Sequence, residues 1–251
     1  MDLENKVTLI TGAGSGIGKA CALQFVKNKS TVVIADIDLE KGESAAELFS
    51  QYAGKAYAVK MDVTDYDEVE RVLQEVVDTY GQLDIMVNNA GIMNQHRAPT
   101  ADHSFDDWDK VIAINQTGVF YCLKASLKHM MNQGHGRIIN IASLAGLKAS
   151  GHNLAYSASK FAVVGMTKSA AMEYAPYNIR INAVCPSYTQ TPMLDQVVEK
   201  QPGIDKKLLK FVPMGRFAEA DEIADAVIWL ASDKSKFITG QTITIDGGLS
   251  L

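Results

Sequence analysis

Short, nearly uninterrupted apolar runs recur along the chain and are separated by longer segments of mixed polarity. The first run, Val7–Thr11, is rich in β-branched residues and ends in glycines, a pattern typical of a strand buried on both faces of a parallel sheet. Similar runs lie at 31–35, 56–61, 84–87, 137–142, 178–184 and 241–245. The pattern therefore predicts a sheet of seven strands.

The segments between these runs carry the periodicity of helices. Apolar residues three and four positions apart, at Val69, Val72, Leu73 and Val76, predict an amphipathic helix. Further helices are predicted at 108–131, about 152–174 and 218–232. Strands that alternate with helices imply right-handed βαβ crossovers, so the predicted fold class is α/β: a doubly wound, mostly parallel sheet with helices on both faces. No linker interrupts the alternation, and residues 1–251 are predicted to form a single domain.

Composition and charge exclude several classes of protein. Hydrophobic residues make up 47% of the 251 residues and charged residues 21%, which argues against disorder, a collagen-like repeat or a coiled coil. The net charge is −5 and the basic residues are scattered, so no nucleic-acid partner is expected. No apolar run is long enough to span a bilayer, and no membrane association is predicted.

Cysteine and histidine positions suggest a structural rather than a chemical role. Cys21, Cys122 and Cys185 are widely spaced in apolar surroundings, so we expect buried free thiols and a reducing compartment. The histidines show no metal-ligand spacing, and no metal site is predicted. Because the first strand begins at Val7, no signal peptide is expected and the cytoplasm is the predicted location.

A glycine-rich turn follows the first strand. Gly12, Gly16 and Gly18, with Ser15 and Ile17 between them, lead directly into a segment with helical periodicity. Glycines allow the backbone to turn tightly and approach a pyrophosphate, and the N-terminus of the helix offers free N–H groups and a partial positive charge. Strand, glycine turn and helix in this order predict a dinucleotide site.

Asp36 ends the second strand and bears on the choice of dinucleotide. A carboxylate there can accept hydrogen bonds from the hydroxyls of an adenosine ribose and would repel a 2′-phosphate, which favours NAD over NADP. Alternatively, Asp36 caps the helix that begins near Asp38.

Tyr156 and Lys160 lie four positions apart in the predicted helix at about 152–174, so both side chains can face the same point. A nearby ammonium favours the phenolate, and such a pair could move a proton. Ser143 follows the fifth strand, where its hydroxyl can hold a substrate oxygen. Asn115 is a polar residue within the apolar pattern of the helix at 108–131.

The turn Thr11-Gly12-x-x-x-Gly16-Ile17-Gly18 and the ordered set Asn115, Ser143, Tyr156 and Lys160 resemble the short-chain dehydrogenase/reductase family, over nearly the whole chain. The resemblance implies a Rossmann sheet. It also implies that Asn115 bends its helix and holds a water that links Lys160 to solvent, and that Lys160 binds the nicotinamide ribose. Asn115 could instead be a satisfied core amide.

The resemblance adds further cofactor-binding residues. Ser15 stands where NADP-preferring relatives often carry a basic residue. In that family the Asp-Val pair contacts the adenine and the Asn-Asn-Ala-Gly segment, here 88–91, supports the sheet and the cofactor. Thr191 is expected to bond the nicotinamide carboxamide. The additional residues assigned in this way are Asp62, Val63, Asn89, Ala90, Gly91, Pro186 and Thr189. Ser187 and Thr189 depart from the glycine and the aliphatic residue usual in the family, which puts the local packing against the nicotinamide in doubt.

The segment 187–213 mixes apolar and charged residues in a pattern of short amphipathic helices, and we predict that it forms a lid over the substrate. An ordinary surface helix pair is the alternative. The lid, together with 93–96 and 144–150, is expected to form the substrate pocket.

The predicted function is an NAD-dependent oxidoreductase that transfers a hydride between a small-molecule secondary alcohol, or its ketone, and nicotinamide, with Tyr156 as general base and acid. Two alternatives are a 3-oxoacyl-thioester reductase of the same fold and a catalytically silent nucleotide-binding regulator. Small residues along the catalytic helix, such as Ala158, Ala162 and Gly165, permit close helix contact, and the resemblance implies a homotetramer. A close intramolecular contact would explain the same residues.

Overall fold

The computed structural model describes residues 3–251, and its central element is a parallel sheet. The strands are β1 (Val7–Thr11), β2 (Thr31–Asp36), β3 (Lys55–Lys60), β4 (Ile85–Asn88), β5 (Gly136–Ile141), β6 (Ile179–Pro186) and β7 (Thr242–Ile245). Within the described residues these seven strands form one sheet in the order β3-β2-β1-β4-β5-β6-β7. Every neighbouring pair is parallel, so the prediction of a mostly parallel sheet is confirmed and extended.

The strand order determines where a ligand can bind. The chain proceeds outward from β1 to β2 and β3, and then returns to the other side of β1 with β4. Loops that leave β1 and β4 therefore diverge at their carboxyl ends and open a crevice, which is the usual ligand site of such sheets. The glycine turn follows β1, and Asn89 to Gly91 follow β4.

Helices cover both faces of this sheet. They are α1 (Gly16–Lys27), α2 (Leu39–Phe49), α3 (Tyr66–Tyr80), α4 (Phe105–Ile112), α5 (Gly118–Gln133), α6 (Leu154–Tyr174), α7 (Pro192–Lys200), α8 (Ile204–Leu209) and α9 (Ala220–Ala231). Local sequence fixes several starts: the carboxylates of Asp38 and Asp65 accept backbone N–H groups of the first turns of α2 and α3. Gly81 ends α3 in a left-handed conformation.

Two apolar layers hold these helices on the sheet. Buried side chains of α3, α5 and α6 form one layer with the sheet, and those of α1, α2 and α9 form the other. Cys21, Cys122 and Cys185 are buried free thiols, as predicted. Every helix within residues 3–251 is too short or too polar to cross a membrane.

The structure corrects two predicted helices. The helix predicted at about 152–174 begins at Leu154 rather than near residue 152, because His152 adopts a positive φ of 64°, which does not fit an α-helix. The helix predicted at 108–131 begins earlier, at Phe105, and is divided by a π-helical turn at Ala113–Thr117. This turn contains Asn115, and π-helical turns are a known cause of bends in helices.

Candidate active site

The glycine turn packs so closely that side chains are excluded from it. Gly12 has a φ of +62°, which residues with a β-carbon rarely adopt, and a β-carbon there would lie 3.0 Å from Ala90 Cα. A β-carbon on Gly18 would clash with the Gly12 carbonyl oxygen and lie 2.5 Å from Asn89 Nδ2. The turn therefore leaves a bare backbone cradle at the N-terminus of α1, as a pyrophosphate requires.

Asn89 and Thr11 brace this turn from the neighbouring strand. Asn89 Nδ2 donates to the carbonyl oxygens of Thr11 at 2.9 Å and Gly12 at 3.0 Å. Thr11 Oγ1 accepts the N–H groups of Asn89 at 3.0 Å and Ala90 at 2.9 Å. Both N–H groups of the Asn89 side-chain amide are therefore used in hydrogen bonds to the backbone. Thr11 is part of the motif that carries the family resemblance, but the sequence analysis assigned it no role.

Asp36 stands at the end of β2 and faces the glycine turn. Its Oδ2 accepts Gly14 N–H at 2.9 Å and its Oδ1 accepts Asp38 N–H at 3.0 Å. The alternative that Asp36 caps the next helix is wrong, because Asp38 is the N-cap of α2. A carboxylate has further acceptor positions, so Asp36 can still bind ribose hydroxyls. Lys41, which sequence reasoning overlooked, lies nearby and is paired with Asp38 at 2.9 Å.

Asp62 and Val63 lie in the loop after β3. Asp62 Oδ1 accepts the backbone N–H of Thr64 at 2.8 Å and its hydroxyl at 2.7 Å, which holds the loop in place. Val63 packs against α5, where a β-carbon on Gly118 would come within 2.7 Å of Val63 Cγ2. The loop is therefore positioned tightly against the helix layer.

A cavity of about 850 Å³ runs along the carboxyl ends of the strands. Most of the predicted site residues line it: Gly12, Ser15, Gly16, Ile17, Asp36, Asp62, Val63, Asn89, Ala90, Gly91, Ser143, Tyr156, Lys160, Pro186, Thr189 and Thr191. Gly18 and Asn115 do not line the cavity. They contact residues that do: Gly18 packs against Gly12 and Asn89, and Asn115 forms hydrogen bonds with Ile92. The fold thus brings to one cavity residues that are far apart in sequence.

Tyr156 and Lys160 project from α6 into this cavity. Lys160 Nζ donates to the carbonyl oxygen of Ile141 at 2.9 Å and lies 5.7 Å from the centroid of the Tyr156 ring. Burial lowers the pKa of Lys160 to about 8. Burial raises the pKa of Tyr156, and a hydrogen bond with Ser143 acts in the opposite direction. The expectation that Lys160 lowers the phenol pKa is therefore wrong for the protein alone, because desolvation of the phenol dominates.

Ser143 follows β5 in an extended conformation. Its Oγ accepts the N–H of Ala145 at 3.1 Å, which begins a short 3₁₀ turn at Leu144–Gly146. The same hydroxyl also forms the hydrogen bond with Tyr156 that opposes the rise in the phenol pKa.

Asn115 is fully buried and saturated with protein contacts. Its Oδ1 accepts Ile92 N–H at 2.8 Å, and its Nδ2 donates to the Ile92 carbonyl oxygen at 2.8 Å and to Ser159 Oγ at 3.3 Å. A β-carbon on Gly91 would lie 3.3 Å from Asn115 Oδ1 and 3.5 Å from Lys160 Nζ. Asn115 therefore clamps the loop after β4 beside Lys160, while the water-holding role remains a prediction.

Asn94 makes a contact that the sequence did not reveal. Its Oδ1 accepts the backbone N–H of Tyr156 at 3.2 Å, in the first turn of α6, and its Nδ2 lies 3.0 Å from Nε2 of His103. The N-cap residue of this helix, Asn153, makes no side-chain capping bond. The loop after β4 thus caps the catalytic helix from outside, at the residue that carries the phenol.

The segment after β6 lies over the glycine turn and the substrate side. Thr191 Oγ1 donates to the carbonyl oxygen of Thr189 at 3.2 Å, and a β-carbon on Gly16 would lie 3.5 Å from the Thr191 side chain. Residues of α7 and α8 line the cavity, and Lys200 Nζ reaches the Gln95 carbonyl oxygen at 3.2 Å. The predicted lid segment therefore borders the cavity.

The predicted substrate walls are only partly as expected. Met93 lines the cavity, whereas 94–96 do not; all of 144–150 except Gly146 and Leu147 contribute. Arg97, Asn153 and Leu249 also line it and were missed. No sequence motif marked them, because they meet only after the β4 loop, the β5 loop and the C-terminal turn come together.

The amino-acid sequence matches a known protein family and several enzymes along nearly its whole length. The profile of the family described as enoyl-(acyl carrier protein) reductase matches residues 12–250. A 3-oxoacyl-[acyl-carrier-protein] reductase of Thermotoga maritima is 42% identical over 249 residues, which cover 99% of each chain. A 3β-hydroxysteroid dehydrogenase of Eggerthella lenta is 40% identical over 252 residues, which cover 99% of this chain and 96% of the relative.

The fold is shared with a solved enzyme structure. An NAD⁺-bound xylitol dehydrogenase matches with a TM-score of 0.94 and 35% identity, over 99% of this chain and 100% of the other. The chain therefore belongs to the short-chain dehydrogenase/reductase family, as its motifs predicted, and it is an oxidoreductase.

Proposed function

We propose that this protein is an NAD-dependent dehydrogenase that interconverts a secondary alcohol and its ketone, with Tyr156 as general base and acid. The observation that carries the proposal is the convergence of Ser143, Tyr156 and Lys160 on one wall of the cavity whose other end is the glycine cradle. The names of the steroid and xylitol dehydrogenases support the reaction class.

The residues present fit a dinucleotide. Gly12 and Gly18 allow the turn to pack against Asn89 and Ala90, since a β-carbon at either position would crowd these neighbours, and the Asp36 carboxylate beside the turn would bind an adenosine ribose. Thr191 and Lys160 would hold the nicotinamide end. Bound there, NAD would supply the hydride chemistry: the oxidised form would take a hydride from the carbon that bears the substrate oxygen, and the reduced form would give one back to it.

The protein contributes proton transfer and orientation. Ser143 donates a hydrogen bond to the substrate oxygen, and Tyr156 removes the proton from the alcohol or returns it to the carbonyl. Lys160 supplies positive charge beside the ring and Asn115 holds the adjoining loop. Because burial raises the pKa of Tyr156, alcohol oxidation is expected to accelerate as the pH rises, whereas ketone reduction uses the protonated phenol that predominates at neutral pH.

Asp36 supports NAD as the cofactor rather than NADP. Its carboxylate lies at the cavity wall beside Gly14, where it would repel a 2′-phosphate. The NAD⁺-bound xylitol dehydrogenase of the same fold is consistent with this preference.

A 3-oxoacyl-thioester reductase is the second candidate, and the relative from Thermotoga maritima favours it. The silent-regulator alternative has no specific support, since Asn115, Ser143, Tyr156 and Lys160 are all present.

We further infer that the whole chain works as one catalytic domain, that 187–213 acts as its lid, and that the protein is cytoplasmic.

We also infer that the protein is a homotetramer. Exposed apolar residues on α4, α5 and α6, namely Phe105, Phe120 and Phe161, support association through this layer. Ala155 and Ala171 of α6 are buried within the chain itself, whereas Gly165 is open on its outer side. Sedimentation in solution tests the tetramer, and a monomer would refute it.

The central test follows NADH formation with a panel of secondary alcohols, offering NAD and NADP separately. Tyr156→Phe is expected to lower kcat/KM by about 10³-fold while NADH affinity is unchanged, because only the proton-transfer group is lost. Near-normal turnover by a folded, NADH-binding Tyr156→Phe variant would contradict the assignment of Tyr156 as the proton-transfer group.

Limited proteolysis within 187–213, with and without NADH, tests the lid. Equal cleavage in both conditions would count against it.

A further inference from the structure

Charge is distributed unevenly along the cavity. Its lining carboxylates, Asp36 and Asp62, belong to the end beside the glycine cradle and the loop after β3. Besides Lys160, which the proposed reaction already uses, two cationic residues with exposed side chains line the cavity on the loops that follow β4 and β5, Arg97 and Lys148. An uncharged alcohol would form no ion pair with these two side chains, whereas a negatively charged substrate would.

These two cations come from different loops. Arg97 follows β4, and its Nη2 donates to the Gly151 carbonyl oxygen at 3.4 Å. Lys148 follows β5, and its Nζ donates to the Ser250 carbonyl oxygen at 3.0 Å. The Arg97 contact draws the first loop toward the second, because Gly151 and Lys148 belong to the same connection between β5 and α6.

Within residues 3–251 neither cation forms an ion pair with a carboxylate. Asp246 lies within electrostatic range of Lys148, but its oxygens accept the N–H groups of Gly248 at 3.0 Å and Ser250 at 2.7 Å. A guanidinium has five N–H donors and an ammonium three, so each cation keeps donors for another acceptor.

Apolar side chains also contribute to the lining, alongside polar residues such as Ser150 and Asn153. The apolar residues include Met93 and Leu144 from the two loops, Val197 and Leu208 from α7 and α8, and Leu249 from the C-terminal turn. A ligand that suits these walls has a hydrocarbon body, and one that suits Arg97 and Lys148 carries a negative group.

We propose that the substrate is a small hydroxy acid or oxo acid, whose hydrocarbon body lies against the apolar walls and whose carboxylate is bound by Arg97 and Lys148. The proposal rests on the proposed function and names its substrate class. A small acid is favoured over a carrier-bound thioester because both cations line the same cavity as Tyr156, which must also hold the dinucleotide.

Binding tests the proposal without turnover. The probes are cyclohexanecarboxylate and cyclohexanecarboxamide, which differ in charge but hardly in shape, titrated into the enzyme–NADH complex and followed by NADH fluorescence. The carboxylate is expected to bind about tenfold more tightly, and added salt should weaken only the carboxylate.

Variants of the two cations test their role. Arg97→Gln and Lys148→Gln should each remove most of the preference for the carboxylate probe and leave carboxamide binding unchanged. The control Lys234→Gln removes an exposed lysine outside the cavity lining and should keep the preference for the carboxylate. Equal binding of the two probes by the wild type would overturn the proposal.

Turnover separates this inference from the proposed function. Oxidation of 4-hydroxycyclohexanecarboxylate is compared with that of cyclohexanol, with NAD. If both are oxidised with equal kcat/KM, the acid assignment is wrong and the dehydrogenase assignment stands. If the carboxylate probe binds preferentially but no alcohol is oxidised, the dehydrogenase assignment fails instead.

A thioester comparison separates the two sources of negative charge. The pair is 3-oxobutanoyl-CoA, which carries phosphates, and the uncharged 3-oxobutanoyl-N-acetylcysteamine. If neither thioester is reduced as efficiently as the small oxo acid, and the two do not differ from each other, the small-acid assignment is supported. A tenfold preference for the CoA thioester that Arg97→Gln abolishes would mean that these cations bind a carrier, and would overturn the small-acid assignment.

Discussion

The two ends of the cavity are built by different means. At the cofactor end, main-chain groups and the absence of β-carbons define the shape, as the contacts among Gly12, Gly18 and Asn89 show. At the substrate end, flexible side chains such as Arg97 and Lys148 project from loops. Backbone contacts allow few residue types, whereas projecting side chains allow many. The first end therefore leaves a motif in the sequence and the second does not.

The strongest test of this contrast is Gly18→Ala. The added methyl would overlap the Gly12 carbonyl oxygen and approach Ala13 Cα to 2.9 Å, so the cradle must shift. Overpacking of this kind costs about 1–3 kcal/mol, and we expect NADH affinity to fall by roughly 10- to 100-fold. Gly165→Ala is the matched control, since nothing lies within 4 Å of its β-carbon position. Unchanged NADH affinity in Gly18→Ala, measured by fluorescence titration, would contradict the account.

Lys160, which lies where the two ends meet, should make stability depend on pH. Its pKa is lowered by burial from 10.5 to about 8, so between these values the unfolded chain binds more protons than the native state. Native stability should therefore rise with pH through this window, by roughly 3 kcal/mol relative to Lys160→Met. Urea unfolding of both proteins between pH 7.5 and 10.5 measures the difference. A difference that does not change with pH would show that the buried ammonium is not destabilised.

Asp36→Ser tests whether the carboxylate at the cofactor end disfavours NADP. Removal of the carboxylate abolishes repulsion of a 2′-phosphate and leaves Lys41 nearby, so the ratio of kcat/KM for NADP to that for NAD should rise by about 30-fold. Glu40→Ser removes the same charge from the exposed first turn of α2 and should leave the ratio unchanged. A similar rise in both variants would indicate a general effect of net charge.

The smallest expected effect concerns the substrate end. Asn94→Ala removes the acceptor for Tyr156 N–H, which should let the start of α6 shift and lower kcat by about tenfold, with KM for NAD unchanged. Asn94→Asp keeps an acceptor oxygen and should restore most of the rate. Equal loss in both variants would assign the effect to the contact with His103 rather than to the cap.

The fold and much of the site followed from the sequence because both depend on local rules. Apolar runs such as Val7–Thr11 identify buried parallel strands, and the glycine turn and the spacing of Tyr156 and Lys160 are short-range constraints. The family resemblance implied a local distortion of the helix at Asn115, and the structure has a π-helical turn at that residue. The phenol pKa was predicted in the wrong direction, because its burial depends on the packing of distant segments.

By itself, the sequence determined the α/β class and the seven mostly parallel strands of a doubly wound sheet, and it predicted the glycine turn as a dinucleotide site and Tyr156 and Lys160 as the proton-transfer pair. Each of these rests on residue types that the backbone geometry permits over a few positions. Only the tertiary structure decided that Asn94 caps the helix of Tyr156, that Thr11 braces the glycine turn, and that Arg97 and Lys148 line the cavity. Those contacts join loops far apart in the chain, where many residue types satisfy the local backbone and only assembly of the sheet brings them together.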